Sequence, residues 1–146
     1  MRDGIQTNFK HEALRKSGCY FFSLLRLAEC ILFKEQGLKH NFTGFTDDQI
    51  IALFNQCVEI GWVEKDCFIV NPVKVLNLAL NREMFTTVRK TTVAPDGGYF
   101  ITYLKKSSSS FHFLIFGIGN FVDWDSWEED NYKTEKYPID SYRVFS

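Results

Sequence analysis

The chain has 146 residues, 45% apolar and 16% aromatic, enough to bury roughly two-thirds of its unfolded surface without the help of disulfides or a metal. A single domain over 1–146 is expected. Its formal net charge of −1, with both signs interspersed, offers no field of one sign to a nucleic-acid backbone and argues against that class of partner.

Met1 to Gln6 has no apolar signal core, and the most apolar run, Tyr20 to Phe33, is interrupted by Arg26 and Glu29 and is too short to span a bilayer. A cytoplasmic protein without a membrane span is expected. Cys19, Cys30, Cys57 and Cys67 are then expected as reduced thiols rather than a disulfide framework. The glycosylation acceptor pattern Asn41-Phe42-Thr43 carries little meaning in that setting.

After a polar leader, the segment from Cys19 to Gln36 reads as a helix. Phe21, Leu24, Leu25, Ala28, Ile31 and Leu32, with Phe22 and Leu27 beside them, cover most of its circumference. A narrow polar stripe runs through Ser23 and Arg26 to Cys30. Ser17 and Gly18 mark the start and Gly37 the stop. Thr46-Asp47-Asp48-Gln49 has the capping-box arrangement for a second helix, which carries Ile50, Leu53, Phe54, Cys57 and Val58 and ends at Gly61. Cys67 to Val70 is a short strand or an extended connector. Asn71-Pro72 opens a third helix by cap plus first-turn proline, with Val75, Leu76 and Ala79 facing inward.

Beyond Met84 the pattern changes to strands. Phe85 to Val93 and Tyr99 to Lys105 flank Pro95-Asp96-Gly97-Gly98, a strong turn signal, and are expected to form an antiparallel hairpin. Ser107 to Ser110 separates them from a strand over Phe111 to Ile118, and Gly119-Asn120 turns the chain into Phe121 to Asp125. The acidic stretch after Trp127 reads as a loop, and Ile139 to Phe145 as a closing strand. Helices followed by antiparallel strands give an α+β fold with segregated layers.

Among chemistry-bearing residues, Cys19 stands out because it falls in the first turn of its helix, after two small residues. There the macrodipole favours a thiolate, the reactive form. The plain alternative is a small buried hydrophobe; Cys30 and Cys57 read that way, and Cys67 has no acid-base partner nearby in sequence. His112 lies in an apolar strand, where it is either a packed histidine or a general base for Cys19. A two-residue turn at Gly119-Asn120 pairs Ile118 with Phe121 and sets His112 opposite Trp127. Asp125 is then the diagonal neighbour of His112 on the same face. Asp123 shares the parity one step farther away, so Asp125 is the preferred carboxylate. His11 and His40 flank loops and are expected to be solvated. No zinc-ligand spacing, His-Glu-x-x-His motif, calcium loop or glycine-rich phosphate loop occurs, so neither a metal nor a cofactor is expected.

Ser17-Gly18-Cys19-Tyr20, His112-Phe-Leu-Ile-Phe-Gly117 and Asp125-Ser-Trp127 together resemble the Cys, His and Asp boxes of the papain-like cysteine peptidase superfamily, especially its bacteriocin-processing and NlpC-type cell-wall branches. The Gly18-Cys19-Tyr20-Phe21 box is also similar to an uncharacterised family of bacterial and prophage-borne proteins. The resemblance implies a papain-like fold, with a buried Cys-bearing helix packed on a C-terminal antiparallel sheet. It also implies a Cys19, His112, Asp125 triad that hydrolyses a peptide or isopeptide bond in a peptide or protein substrate. Many papain-like peptidases place an oxyanion-binding glutamine about six residues before the cysteine. Ala13 stands there in this chain, with Gln6 and Asn8 farther upstream. That departure keeps open an inactive papain-like module that binds a protein or peptide partner.

Overall fold

The computed structural model describes residues 1–36, 43–119, 121–127 and 138–146. Within them the chain forms four helices, α1 (Glu12–Ser17), α2 (Cys19–Gln36), α3 (Asp47–Ile60) and α4 (Pro72–Leu80). The strands β1 (Val88–Thr91), β2 (Tyr99–Ser107), β3 (Ser110–Leu114) and β4 (Ile139–Phe145) follow. The architecture is α+β, helices first and then a four-stranded antiparallel sheet.

The helix boundaries follow from local chemistry. The Thr46 side chain accepts from the Gln49 amide while the Gln49 side chain accepts from the Thr46 amide, closing the capping box of α3. Gly61 then ends that helix in the left-handed conformation at φ +98°. Asn71 caps α4 through Lys74 N, with Pro72 in its first turn. α2 packs against α4, β2 and β3. Its burial is more complete than its composition suggests, because Ser23 and Glu29 are sealed as fully as Phe21, Leu24 and Ile31. The expected polar stripe is therefore covered, and Arg26 is only half-buried.

Two expectations about the chain's course are corrected. The polar leader is part of the core: Ile5, Phe9 and Leu14 are buried, and 12–17 form the short helix α1. His11, expected to be solvated, is half-buried against the Phe54 ring and caps α1, its Nδ1 accepting from Leu14 N at 3.4 Å. His40 and Gly37 lie outside the described residues.

The expected hairpin between the strands flanking Pro95 to Gly98 does not form. The sheet order is β1-β4-β2-β3. β4 inserts between β1 and β2, pairing Val88 with Phe145 on one side and Tyr99 with Phe145 on the other. Proline and glycine say where a chain turns, but not which strand it meets afterwards. Here the loop bridges two strand spacings, about 10 Å.

Glu29 holds the helical layer to the start of the chain. Its fully buried carboxylate accepts from the Met1 amino group at 2.7 and 3.0 Å, from Arg26 Nη1 at 3.1 Å and from Phe45 N at 2.8 Å. A buried carboxylate with this many donors is stable only while the set is complete, since any cation left unpaired keeps its desolvation penalty. Glu29→Gln is expected to lower unfolding stability by about 3 kcal/mol or more, measured by urea denaturation of both proteins. A change below about 0.5 kcal/mol would mean that the network contributes nothing.

Candidate active site

Cys19 is the first residue of α2, set there by Gly18. That glycine ends α1 with its amide on the Leu14 carbonyl at 2.9 Å and opens α2 by accepting from Phe22 N at 2.8 Å. A methyl group at position 18 would meet the Leu14 carbonyl oxygen at 2.4 Å, so no larger side chain fits at this junction of two helices.

The thiol of Cys19 lies beside the backbone amide of Phe113, the residue after His112, and close enough to Asp125 to feel its charge. It also lines a cleft of about 670 Å³ between the helix junction and one face of the sheet. Burial pushes the thiol up to about 11, outweighing the amides of Phe113, Tyr20 and Cys19 that favour a thiolate, and the Asp125 charge adds to the rise. The thiolate expected from the helix start is thus overruled by desolvation. A residue with 5% exposure loses more from leaving water than a few amide dipoles return.

His112 and Asp125 meet. The Nε2 of His112, on β3, lies 2.5 Å from Asp125 Oδ1, with the imidazole fully buried. A carboxylate accepts, so Nε2 carries the proton in the neutral ring and Nδ1 is the nitrogen with the lone pair. Three further bonds fix Asp125: its Oδ1 accepts from Trp127 N at 2.8 Å, its own amide donates to Asp3 Oδ1 at 3.2 Å, and its carbonyl accepts from Gly4 N at 2.9 Å. The Trp127 indole stacks on the imidazole with centroids 3.5 Å apart.

This geometry follows from strand register. Ile115 and Trp124 exchange both backbone bonds, at 3.0 and 2.8 Å, and Phe121 N donates to Ile118 O at 2.8 Å. The same pairing, carried three residues on, sets His112 opposite Trp127. Regular strand geometry is shorter than expected: β3 ends at Leu114, and 121–125 contributes only the isolated bridge at Trp124. Asn120 itself lies outside the described residues. Asp123 is engaged elsewhere, accepting from Gly117 N at 3.0 Å.

Several relevant residues had no local signal. Gln6 is buried, its Nε2 donating to Arg15 O at 3.2 Å and its Oε1 accepting from Ser126 Oγ at 2.7 Å. It therefore ties α1 to the segment carrying Asp125. Cys67, at a left-handed φ of 74°, lines the same cleft as Cys19. Its thiol is pushed up to about 12 by burial, then by the charges of Asp66 and Cys19. Among the described residues no cluster of His, Cys, Asp and Glu is fit to hold a metal ion, and no helix is long and apolar enough to cross a membrane.

Because a group raised to about 11 stays protonated at neutral pH, Cys19 is expected to react with iodoacetamide more slowly at pH 7.5 than a free thiol. Its rate should climb as pH approaches 11. Peptide mapping by mass spectrometry checks this, and a rate at pH 7.5 above that of free cysteine would show a thiolate already formed in the resting protein.

No curated protein and no solved structure matches the chain. Residues 4–146 match the family described as Protein of unknown function, DUF261, and the chain belongs to that family.

Proposed function

We propose that the protein is a cysteine-dependent hydrolase of a peptide or isopeptide bond, built on a papain-like arrangement of Cys19, His112 and Asp125. The observation that carries this reading is the 2.5 Å contact between His112 Nε2 and Asp125. It fixes the tautomer whose Nδ1 can take a proton, at a point where the Cys19 thiol lies beside the neighbouring Phe113 amide.

In this mechanism the resting thiol is protonated. Phe111 and Phe113, the neighbours of His112 on β3, line the cleft, and His112 does not; in the proposed step the Cys19 proton passes to His112 Nδ1 and the sulfur forms a bond to the carbonyl carbon of the substrate. Asp125 stabilises the imidazolium, and the stacked Trp127 keeps water from that face. The amides at the start of α2, which have no partner within their own helix, are the donors nearest the developing oxyanion. No glutamine is required for them to act, and the Gln6 amide is engaged in linking α1 to Ser126. Collapse of the tetrahedral intermediate breaks the C–N bond, and His112 returns the proton to the leaving amine. Water, deprotonated by His112, then hydrolyses the thioester and frees Cys19.

A binding-only module is favoured by one observation, the burial of the thiol and its rise to about 11. Phe68 and Phe111, 63% and 44% exposed at the cleft, would then be recognition surface alone. Incubating wild type and Cys19→Ala with peptidoglycan fragments and a mixed peptide library separates the two. The hydrolase reading expects products only with wild type, and binding by both proteins without any product would support the module.

The two aspartates give a sharper test. Asp125→Asn is expected to cut turnover by about 10²-fold or more while leaving the melting temperature nearly unchanged, since the imidazole loses its orienting charge. Asp123→Asn is expected to cost less than about threefold, because its carboxylate serves the Gly117 amide. Steady-state kinetics on both variants checks this, and the reverse order of effects would contradict the site assignment.

A further inference from the structure

The cleft beside Cys19 is aromatic, yet two cations reach into it. Lys90 of β1 and Arg143 of β4 are cross-strand partners, and Tyr103 and Phe113 are partners between β2 and β3. With Ile101 also opposite Arg143, the period-two alternation brings all four side chains to one face. The Arg143 guanidinium lies 5.0 Å from the Tyr103 ring centroid and 5.7 Å from that of Phe113, and its Nη1 donates to Ser141 Oγ at 2.8 Å. Arg2, Arg26 and Arg82 each have a carboxylate partner. Arg143 has none among the described residues, so most of its fork of donors is uncommitted.

A second polar group points to the same place. Tyr20, the residue after Cys19, lines the cleft with its ring stacked on Phe113 at 4.0 Å. Its buried hydroxyl has no hydrogen-bond partner among the described residues and feels the charge of Arg143. A buried hydroxyl left without a partner is costly unless something else binds there. The acidic side chain on the cleft wall, Asp66, is exposed and accepts from the Phe68 amide at 3.1 Å. Lys90 has Asp140 at 4.0 Å. Of the two cations at the aromatic wall, Arg143 is thus the one without a carboxylate partner among the described residues.

We infer that the substrate class is a carboxylate-bearing peptide: Arg143 holds the carboxylate through its fork, Tyr20 supplies a further donor, and an apolar side chain of the same peptide lies against Phe68, Phe111 and Phe113. This deepens the hydrolase reading and rests on it, since the same cleft is lined by Cys19. The geometry of planar guanidinium against planar carboxylate, in a site shielded by aromatic rings, is the pairing for which arginine is better suited than lysine. The carboxylate has two sources, the α-carboxylate of a chain terminus or an acidic side chain.

The test is equilibrium binding to the Cys19→Ala protein, followed by NMR titration, with two peptide pairs. N-acetyl-Phe-Ala with a free C-terminus is compared with its C-terminal amide, and N-acetyl-Phe-Glu-amide with N-acetyl-Phe-Gln-amide. At least one acid is expected to bind about tenfold tighter than its neutral partner, and the pair that shows the preference identifies the source. Adding Arg143→Gln is expected to reduce that preference to within about twofold. Arg143→Lys, which keeps the charge and loses the fork, is the second variant and is expected to lower the preference by about threefold. Equal binding of acid and amide, no binding of either, or a preference that survives both substitutions would overturn the inference. Turnover is not read in this experiment, so failure of the carboxylate preference and failure of the hydrolase reading are separate results.

Discussion

The burial of α2 from Phe21 to Ile31, Arg26 excepted, is the constraint on which the site depends. Phe21, Phe22, Leu24, Leu25, Leu27, Ala28 and Ile31 are fully enclosed, and so are Ser23 and Glu29. A helix enclosed over most of its circumference resists rotation and sliding, so the residue at its start is held in position against the sheet. The same burial takes water away from the Cys19 thiol and pushes it up to about 11. Position and activation are therefore in opposition: what fixes the Cys19 thiol also keeps it protonated. Chemistry at such a thiol needs a base that acts when substrate arrives.

In the proposed hydrolase that base is His112, on the sheet. His112 is aligned by Asp125, which is in turn fixed by the amide of Trp127, while the Trp127 ring covers the imidazole. One short segment, 125–127, thus sets the tautomer, holds the carboxylate and shields the ring. It is attached to the start of the chain by Gly4 N donating to Asp125 O and Gln6 N to Ser126 O, both at 2.9 Å. The N-terminal segment is in this way a support for the site. Orientation of the imidazole depends on packing at the opposite end of the sequence.

Much of this was legible in the sequence where the signal was local. The bounds of α2, the capping box of α3 and the proline start of α4 each follow from a few neighbouring residues. The register expected between Ile118 and Phe121 puts Asp125 beside His112, and the two are in contact, because register propagates along a strand pair. What failed was non-local. No residue near Pro95 indicates that β4 (Ile139–Phe145) separates β1 from β2. Ile5, Phe9 and Gln6 look like a polar leader until the 125–127 segment is present to receive them. No local signal singles out Arg143; only the register of Lys90, Arg143, Tyr103 and Phe113 reveals a shared face. The thiolate expected at Cys19 failed for another reason, since a dipole argument counts attraction to the charged form and leaves out its desolvation.

The central claim is that Cys19 attacks a carbonyl with His112 as its base, and trapping the acyl-enzyme tests it most directly. Wild-type protein and a folded His112→Ala variant are treated with the p-nitrophenyl ester of N-acetylphenylalanine, and the acylated residue is mapped by intact mass and peptide mass spectrometry. The account predicts one acyl group on wild type, located on Cys19, with its formation slowed by about 10²-fold or more in the variant. Acylation of Cys30, Cys57 or Cys67 in place of Cys19, or an undiminished rate without His112, would contradict it.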